Sequence, residues 1–360
     1  MDTMLLAAIA ICATPASATP ASADWVTLDQ ELAGLRQDLT AADMSALRWA
    51  GFVRASYDSS SEPIDIDSDG TLDDDLNGFI LENVRLSVGG TNEVYTYSVA
   101  MDFASGQGEL IEAWIGRRLW GKAVLYFGRM RAPFLRTSLL PENTNLFIPR
   151  TRNAILWTVP GRDYGFRIDN NWDGIRLRMC QQNGSDQNGD KLRSTVRLEW
   201  DVLGSPVPDS EGAYGAADEV AVNVGVASSY DAGLDEDRSA YAADLALTWK
   251  PFALQLEVVD YGDGYDDPFV PGGGGLGLEG GTMPWTATAS WLFLDSWEAA
   301  VRYEDFDEES TTQPNRTQWL LGVNKYIAGH DLKWQLNYLT IEDENGPGND
   351  FVALGATLAF

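Results

Sequence analysis

The sequence has one histidine, two cysteines and no run of about twenty apolar residues. Each shortage excludes something. Without such a run no helix can cross a bilayer, so a membrane-embedded form of this chain must be a closed barrel of strands. Cys12 lies in a short apolar N-terminal stretch and Cys180 lies mid-chain, so removal of that stretch leaves one thiol and no intrachain disulfide. Ile11 precedes Cys12 where a lipidated cysteine would want a small residue. A Ser–His–acid nucleophile would need His330, which adjoins Asp331 in an expected tight turn with nothing else to make a site. The run Gly272–Gly275 lacks the Lys-Ser/Thr of a phosphate-binding loop and reads as a flexible connection. No enzyme, no catalytic residue and no nucleic-acid partner is therefore expected.

What is present begins with an export signal. Met4 to Cys12 are apolar, small residues follow, and Ala21-Ser22-Ala23 before Asp24 fits a cleavage site. Ala16-Ser17-Ala18 is a second candidate, and the usual basic start is missing. The expected organisation is a signal peptide over 1–23, a short periplasmic helical segment over 24–45 and a barrel over 46–360. Leu28, Leu32, Leu35 and Leu39 give the helix its apolar stripe.

From Leu47 onward about sixteen stretches alternate between two faces. In Leu192–Val202 the row Arg193, Thr195, Arg197, Glu199 and Asp201 faces away from Val196, Leu198, Trp200 and Val202. In Leu332–Tyr338, Lys333, Gln335 and Asn337 oppose Leu332, Trp334, Leu336 and Tyr338. The chain ends on an alternating stretch, Phe351–Phe360, with a terminal aromatic, as outer-membrane barrels commonly do. Short connections are expected at Gly89–Asn92, Asn170–Asn171, Lys250-Pro251, Asp295-Ser296 and Ala328–His330. Long acidic ones are expected at Asp58–Asn77, Arg131–Gly161, Gly262–Thr282, Asp307–Arg316 and Asp343–Asn349. Alternating short and long connections mark the periplasmic and external ends of a membrane barrel. Residues Gly204–Asp218 break that alternation, so the strand count around 203–219 stays open between an elongated turn and a miscounted strand. A soluble sandwich or propeller also alternates, but without the loop asymmetry, the export signal and the terminal Phe together.

Charge is unevenly placed. The chain carries 25 Lys/Arg against 54 Asp/Glu, a net of -29. Arg117–Trp200 reverses the balance, with 15 basic against 7 acidic residues, so the remainder carries -37. At the centre of this basic third is the third long connection, which is expected to fold inward and narrow the lumen. Arg129, Arg131, Arg136, Arg150, Arg152 and Arg162 are the candidate anion-attracting ring. The bland alternative is that they pair with acids such as Glu142 and Asp163 and only pin the loop.

Gly128-Arg129-Met130-Arg131-Ala132-Pro133-Phe134 resembles the strand-end motif of the phosphate-selective porin O and P family. Gly161-Arg162-Asp163-Tyr164-Gly165 resembles that family's following Arg-Asp-x-Gly motif, and Leu110–Ile115 resembles the strand before it. The likeness spans about a quarter of the chain. It implies a sixteen-stranded, usually homotrimeric, diffusion channel in the bacterial outer membrane. Phosphate-specific members also use lysines, and Lys122 is the only lysine near this region, so phosphate does not transfer with the likeness.

A second constellation is Asp65-Ile66-Asp67-Ser68-Asp69-Gly70, which matches the first half of a calcium loop. Its twelfth position would be Leu76 instead of the bidentate Glu, so Asp65, Asp67 and Asp69 are at most an adapted calcium site. Acidic external loops could also hold divalent cations against anionic lipid headgroups.

The expected protein is thus an all-β transmembrane porin for small hydrophilic solutes, anions preferred. Its partners are those solutes and outer-membrane lipid. The rivals are a weakly selective general or sugar porin and a non-conducting structural or adhesive barrel.

Overall fold

The computed structural model describes residues 47–63, 75–158, 162–184, 191–232, 237–262, 281–306, 316–343 and 349–360. The export segment, the helix expected over 24–45 and Asp65, Asp67 and Asp69 lie outside these residues.

Sixteen strands follow one another: β1 (Leu47–Pro63), β2 (Asp75–Thr91), β3 (Tyr95–Asp102), β4 (Glu109–Arg118), β5 (Val124–Arg131), β6 (Arg162–Trp172), β7 (Ile175–Gln182) and β8 (Arg193–Leu203) form the first half. β9 (Ala221–Asp231), β10 (Arg238–Trp249), β11 (Phe252–Tyr261), β12 (Trp285–Phe293), β13 (Trp297–Asp305), β14 (Arg316–Tyr326), β15 (Leu332–Asp343) and β16 (Asn349–Ala359) form the second. Each pairs with its sequence neighbours, all antiparallel, and β16 returns to β1 to close the barrel. Between β5 and β6 lie two short helices, α1 (Arg136–Leu139) and α2 (Arg152–Thr158).

The two faces of the strands are inverted relative to a soluble protein. On β15 the polar Lys333, Gln335 and Asn337 are buried while Trp334, Leu336 and Tyr338 are exposed. A wall with apolar side chains outside and polar ones inside suits lipid around and water within. Aromatic side chains gather at both rims of this belt. Trp249, Phe252, Trp291 and Phe293 neighbour one another near the short-turn end. Trp285, Tyr303 and Trp319 do so at the other. Trp285 and Trp291 are six positions apart on β12, ~20 Å at the usual rise per residue, which matches an apolar belt between two interfacial girdles.

Two expected turns shift. Asn170–Asn171 lies inside β6, and the chain reverses instead at Asp173-Gly174, whose φ values are 38° and 92°. Two successive positive φ values match the twist of a tight hairpin, and Asp-Gly supplies them at least cost. β2 runs to Thr91, beyond the expected Gly89, because the Asn92 side chain caps the turn by accepting from the Val94 and Tyr95 N–H groups.

The anomaly at 204–220 is an elongated turn, since β8 and β9 pair directly on either side of it. In an antiparallel barrel it leaves from the end opposite the β5–β6 connection, and it enters the lumen. Val207 packs on Ala221 and Ala246, and Ala213 packs with Ala253, Leu292 and Tyr326. Glu298 accepts from the Ala213 N–H at 2.6 Å and from the Tyr326 hydroxyl at 2.6 Å. Tyr214 stacks on Tyr326, and the His330 ring stands edge-on to both.

His330, in the turn after β14, has no hydrogen-bond partner at either ring nitrogen among the described residues. Burial pushes its imidazole from 6.5 down to about 3, with Lys333 adding to the effect. The folded state therefore refuses a proton that the unfolded chain accepts. Its stability is unaffected above the ordinary histidine range and falls as pH drops from 6.5 towards 3. Replacing His330 with Phe is expected to flatten the pH dependence of the unfolding midpoint over that window. Urea melts followed by tryptophan fluorescence check this, and parallel slopes for both proteins would refute it.

Candidate pore constriction

The β5–β6 connection is anchored by apolar side chains into gaps left by small inward residues. Phe134 and Trp157 stack with ring centroids 3.8 Å apart and pack against Ala227, Ala240 and Ala242. Leu146 and Phe147 pack on Ala300 and Leu320. Gly322 and Gly355 make room for Phe147 and Ile148, since a Cβ there would stand 2.8 Å from Phe147 and 2.6 Å from Ile148. Introducing leucine at Gly355 is expected to cost roughly 1–3 kcal/mol by overpacking and to change single-channel conductance. Denaturant melts and bilayer recordings check both.

Polar contacts carry the same connection across the barrel interior. Arg54 of β1 donates to the Glu142 carbonyl, Glu257 of β11 accepts from Thr137, and Asn337 of β15 accepts from the Ile148 N–H. Glu304 of β13 accepts from the Arg152 N–H, and Lys333 donates to the Asn145 carbonyl. The 204–220 turn meets the connection from the other side. Glu211 accepts from the Leu146 N–H at 2.8 Å and receives a forked contact from Arg302 at 3.0 and 3.1 Å. Inward residues from β8 to β15 are consequently sealed: Arg197, Arg302 and Lys333 are each 0% exposed.

Open space remains along β1–β7. Two cavities of about 400 Å³ each lie there. The first is lined by Arg54, Arg85, Arg129, Arg150 and Arg162 against Glu82, Asp102, Glu109 and Glu142. The second is lined by Arg85, Arg131, Arg167 and Arg178 against Glu112, Glu142 and Asp169. Arg85 and Glu142 border both, and Arg85 also borders a third cavity near Phe360. The contact between them, shared by the first two, is here called the neck.

Four of the six arginines singled out in the sequence come to this place. Arg129 lines the first cavity and has no ion pair among the described residues. Arg131 pairs with Glu112 at 3.1 Å and donates to the carbonyls of Ser138 and Leu140. Arg150 donates to the carbonyls of Thr137 and Leu140 and stands 3.6 Å from Glu142. Arg162 lies 3.4 Å from Glu112 and 3.6 Å from Glu142. Arg136 and Arg152 line neither cavity. Arg136 is buried against the 204–220 turn, donating to the Pro208 carbonyl, and the Arg152 guanidinium lies 4.5 Å over the Phe306 ring. Of the two acids named as pinning partners, Glu142 pairs with arginines, while Asp163 accepts from the Gly184 N–H.

Glu142 sits where burial alone would push its carboxyl up, but Arg85, Arg150, Arg131 and Arg162 outweigh this and hold it below the ordinary range. Burial lowers Arg150 to about 10 despite Glu142, so it stays charged at neutral pH. Arg54, Arg85, Arg167 and Arg178 escaped the sequence reading. Alternation could have found them: Asn83, Arg85 and Ser87 interleave with Val84, Leu86 and Val88, and Arg176 and Arg178 with Ile175, Leu177 and Met179.

Compared with solved structures, the chain resembles the anion-selective porin from Comamonas acidovorans at TM-score 0.61 and 12% identity, over 88% of this chain and 99% of that one. It resembles a loop-deletion mutant of OmpT from Vibrio cholerae at TM-score 0.59 and 12% identity, over 87% and 99%. It resembles the outer-membrane channel DcaP of Acinetobacter baumannii at TM-score 0.57 and 12% identity, over 87% and 97%. The chain has the fold of the outer-membrane porins. No family model and no curated protein matches the sequence.

Proposed function

We propose that this protein spans the bacterial outer membrane as a passive channel for small hydrophilic solutes, and that its neck prefers anions. The observation carrying this reading is the surplus of guanidinium over carboxylate in both cavities, five against four and four against three. Arginine holds its charge at any working pH and matches planar oxyanions. No lysine lines either cavity: Lys122 contacts Asp173 at 3.4 Å with its side chain mostly exposed. This favours small anions in general over a phosphate-specific path. The motif likeness at Gly128–Phe134 and Gly161–Gly165 supports homotrimers.

Purified protein in planar bilayers under a tenfold KCl gradient tests the reading. The expected reversal potential favours chloride. One favouring potassium would overturn it, and a complete absence of conductance would leave a structural barrel in its place.

A further inference from the structure

Glu142 is held in an unusual way for a structural carboxylate. One contact is short, to Arg85 at 2.8 Å, while Arg150 and Arg162 both stand off at 3.6 Å. Charge-assisted hydrogen bonds are normally ~2.7–2.9 Å, so two of its three guanidiniums are poorly used. The carboxylate projects from a three-residue 3-10 turn, Glu142–Thr144, and borders both cavities. The arginines do not depend on it for position. Arg131 and Arg150 are fixed by backbone carbonyls, Arg162 also by Glu112, and Arg85 also by Asp102 at 3.0 Å. Among the described residues, the Nε atoms of Arg54, Arg85 and Arg150 are buried without a hydrogen-bond acceptor. Here is a preassembled oxyanion site whose present occupant belongs to the chain and fits loosely.

We propose that the neck is a carboxylate-binding site with Glu142 as its resident ligand, and that a small solute carboxylate passes by taking the place of Glu142 on Arg85. This rests on the reading that solutes cross at the neck. Glu142 then sets the residence time. Its carboxylate competes with the solute, so binding stays weak enough for release, as conduction requires.

Half-block of the KCl current by succinate, measured in bilayers, tests the exchange. Glu142→Gln is expected to lower the half-block concentration by about tenfold, the equivalent of ~1.4 kcal/mol. Glu109→Gln, which removes the same charge from the first cavity away from the arginine contacts, is expected to change it by less than about twofold on the same scale. Phosphate run in parallel separates the two oxyanions, with the larger gain expected for succinate. Equal block in Glu142→Gln and the unaltered protein would overturn the exchange, as would an equal effect of Glu109→Gln. Should Glu142→Gln lose the heat-modifiable migration of a folded barrel, Glu142→Asp, which retracts the carboxylate from Arg85, is expected to tighten block in the same direction. No tightening there would also refute it. A channel that prefers potassium without substitution would instead defeat the functional reading beneath.

Discussion

Reversing the charge at Arg85 is expected to turn the channel from anion-preferring to cation-preferring. Arg85 borders the two cavities along β1–β7 and the one near Phe360, and makes the short contact with Glu142. A monovalent ion about 6 Å from it experiences roughly 3 kcal/mol at an effective dielectric constant of about 20. Salt screening and the nearby acids reduce that, so Arg85→Glu is expected to move the anion-to-cation permeability ratio by at least about tenfold. Arg85→Ala should shift it part of the way. Reversal potentials in a KCl gradient provide the measurement. Arg136→Ala, which alters an arginine away from the cavities, is expected to leave the ratio unchanged. If Arg136 mattered and Arg85 did not, the assignment of the neck would fail.

The second large effect is expected at Arg302. Its guanidinium is fully buried, forks onto Glu211, donates to the Pro149 carbonyl at 3.1 Å and lies 4.6 Å over Phe147. It therefore ties the β5–β6 connection, the 204–220 turn and the wall at β13 in one place. Arg302→Met leaves Glu211 buried without its partner, which costs roughly 3–5 kcal/mol. The two inward segments are expected to loosen together, with larger conductance, faster proteolysis inside 204–220 and weaker ion selectivity. Arg302→Met combined with Glu211→Leu removes both charges and should recover much of the lost stability. Bilayer conductance and urea midpoints of the single and double variants check this. Equal losses in both would show that the pair is not what joins the segments.

The barrel was legible in the sequence because the wall is periodic. A row such as Arg193, Thr195, Arg197, Glu199 and Asp201 points inward whatever its neighbours are, and the structure buries the first four and half-buries Asp201. Boundaries were less legible. Asn170–Asn171 looks like a turn, but only Asp173-Gly174 satisfies the required φ values. The neck was half legible. The arginine excess from Arg117 onward marks the right connection, but the inward course of that connection brings it against Arg54 and Arg85 of β1 and β2, which lie upstream of the excess. Within a loop no period says which way a side chain points. Arg136 and Arg152 read the same as Arg150, yet they serve the packing under the loop. The inward course of 204–220 had a signal only in hindsight, in the small inward residues Ala221, Ala246 and Ala253 that receive it.

Solutes are expected to cross along β1–β7, past Arg85, and not through the sealed side. Thiol block of single-channel current addresses this directly. In a Cys180→Ser background, which removes a buried thiol, Ser87→Cys places the target where two of the cavities meet the wall. Ser229→Cys places it under the packed segments, at a position 2% exposed. A bulky charged methanethiosulfonate is expected to cut the current through the Ser87→Cys channel by more than half, because it occupies a cavity of about 400 Å³ beside Arg85, and to leave Ser229→Cys unaffected. Block at Ser229→Cys with none at Ser87→Cys would contradict the account.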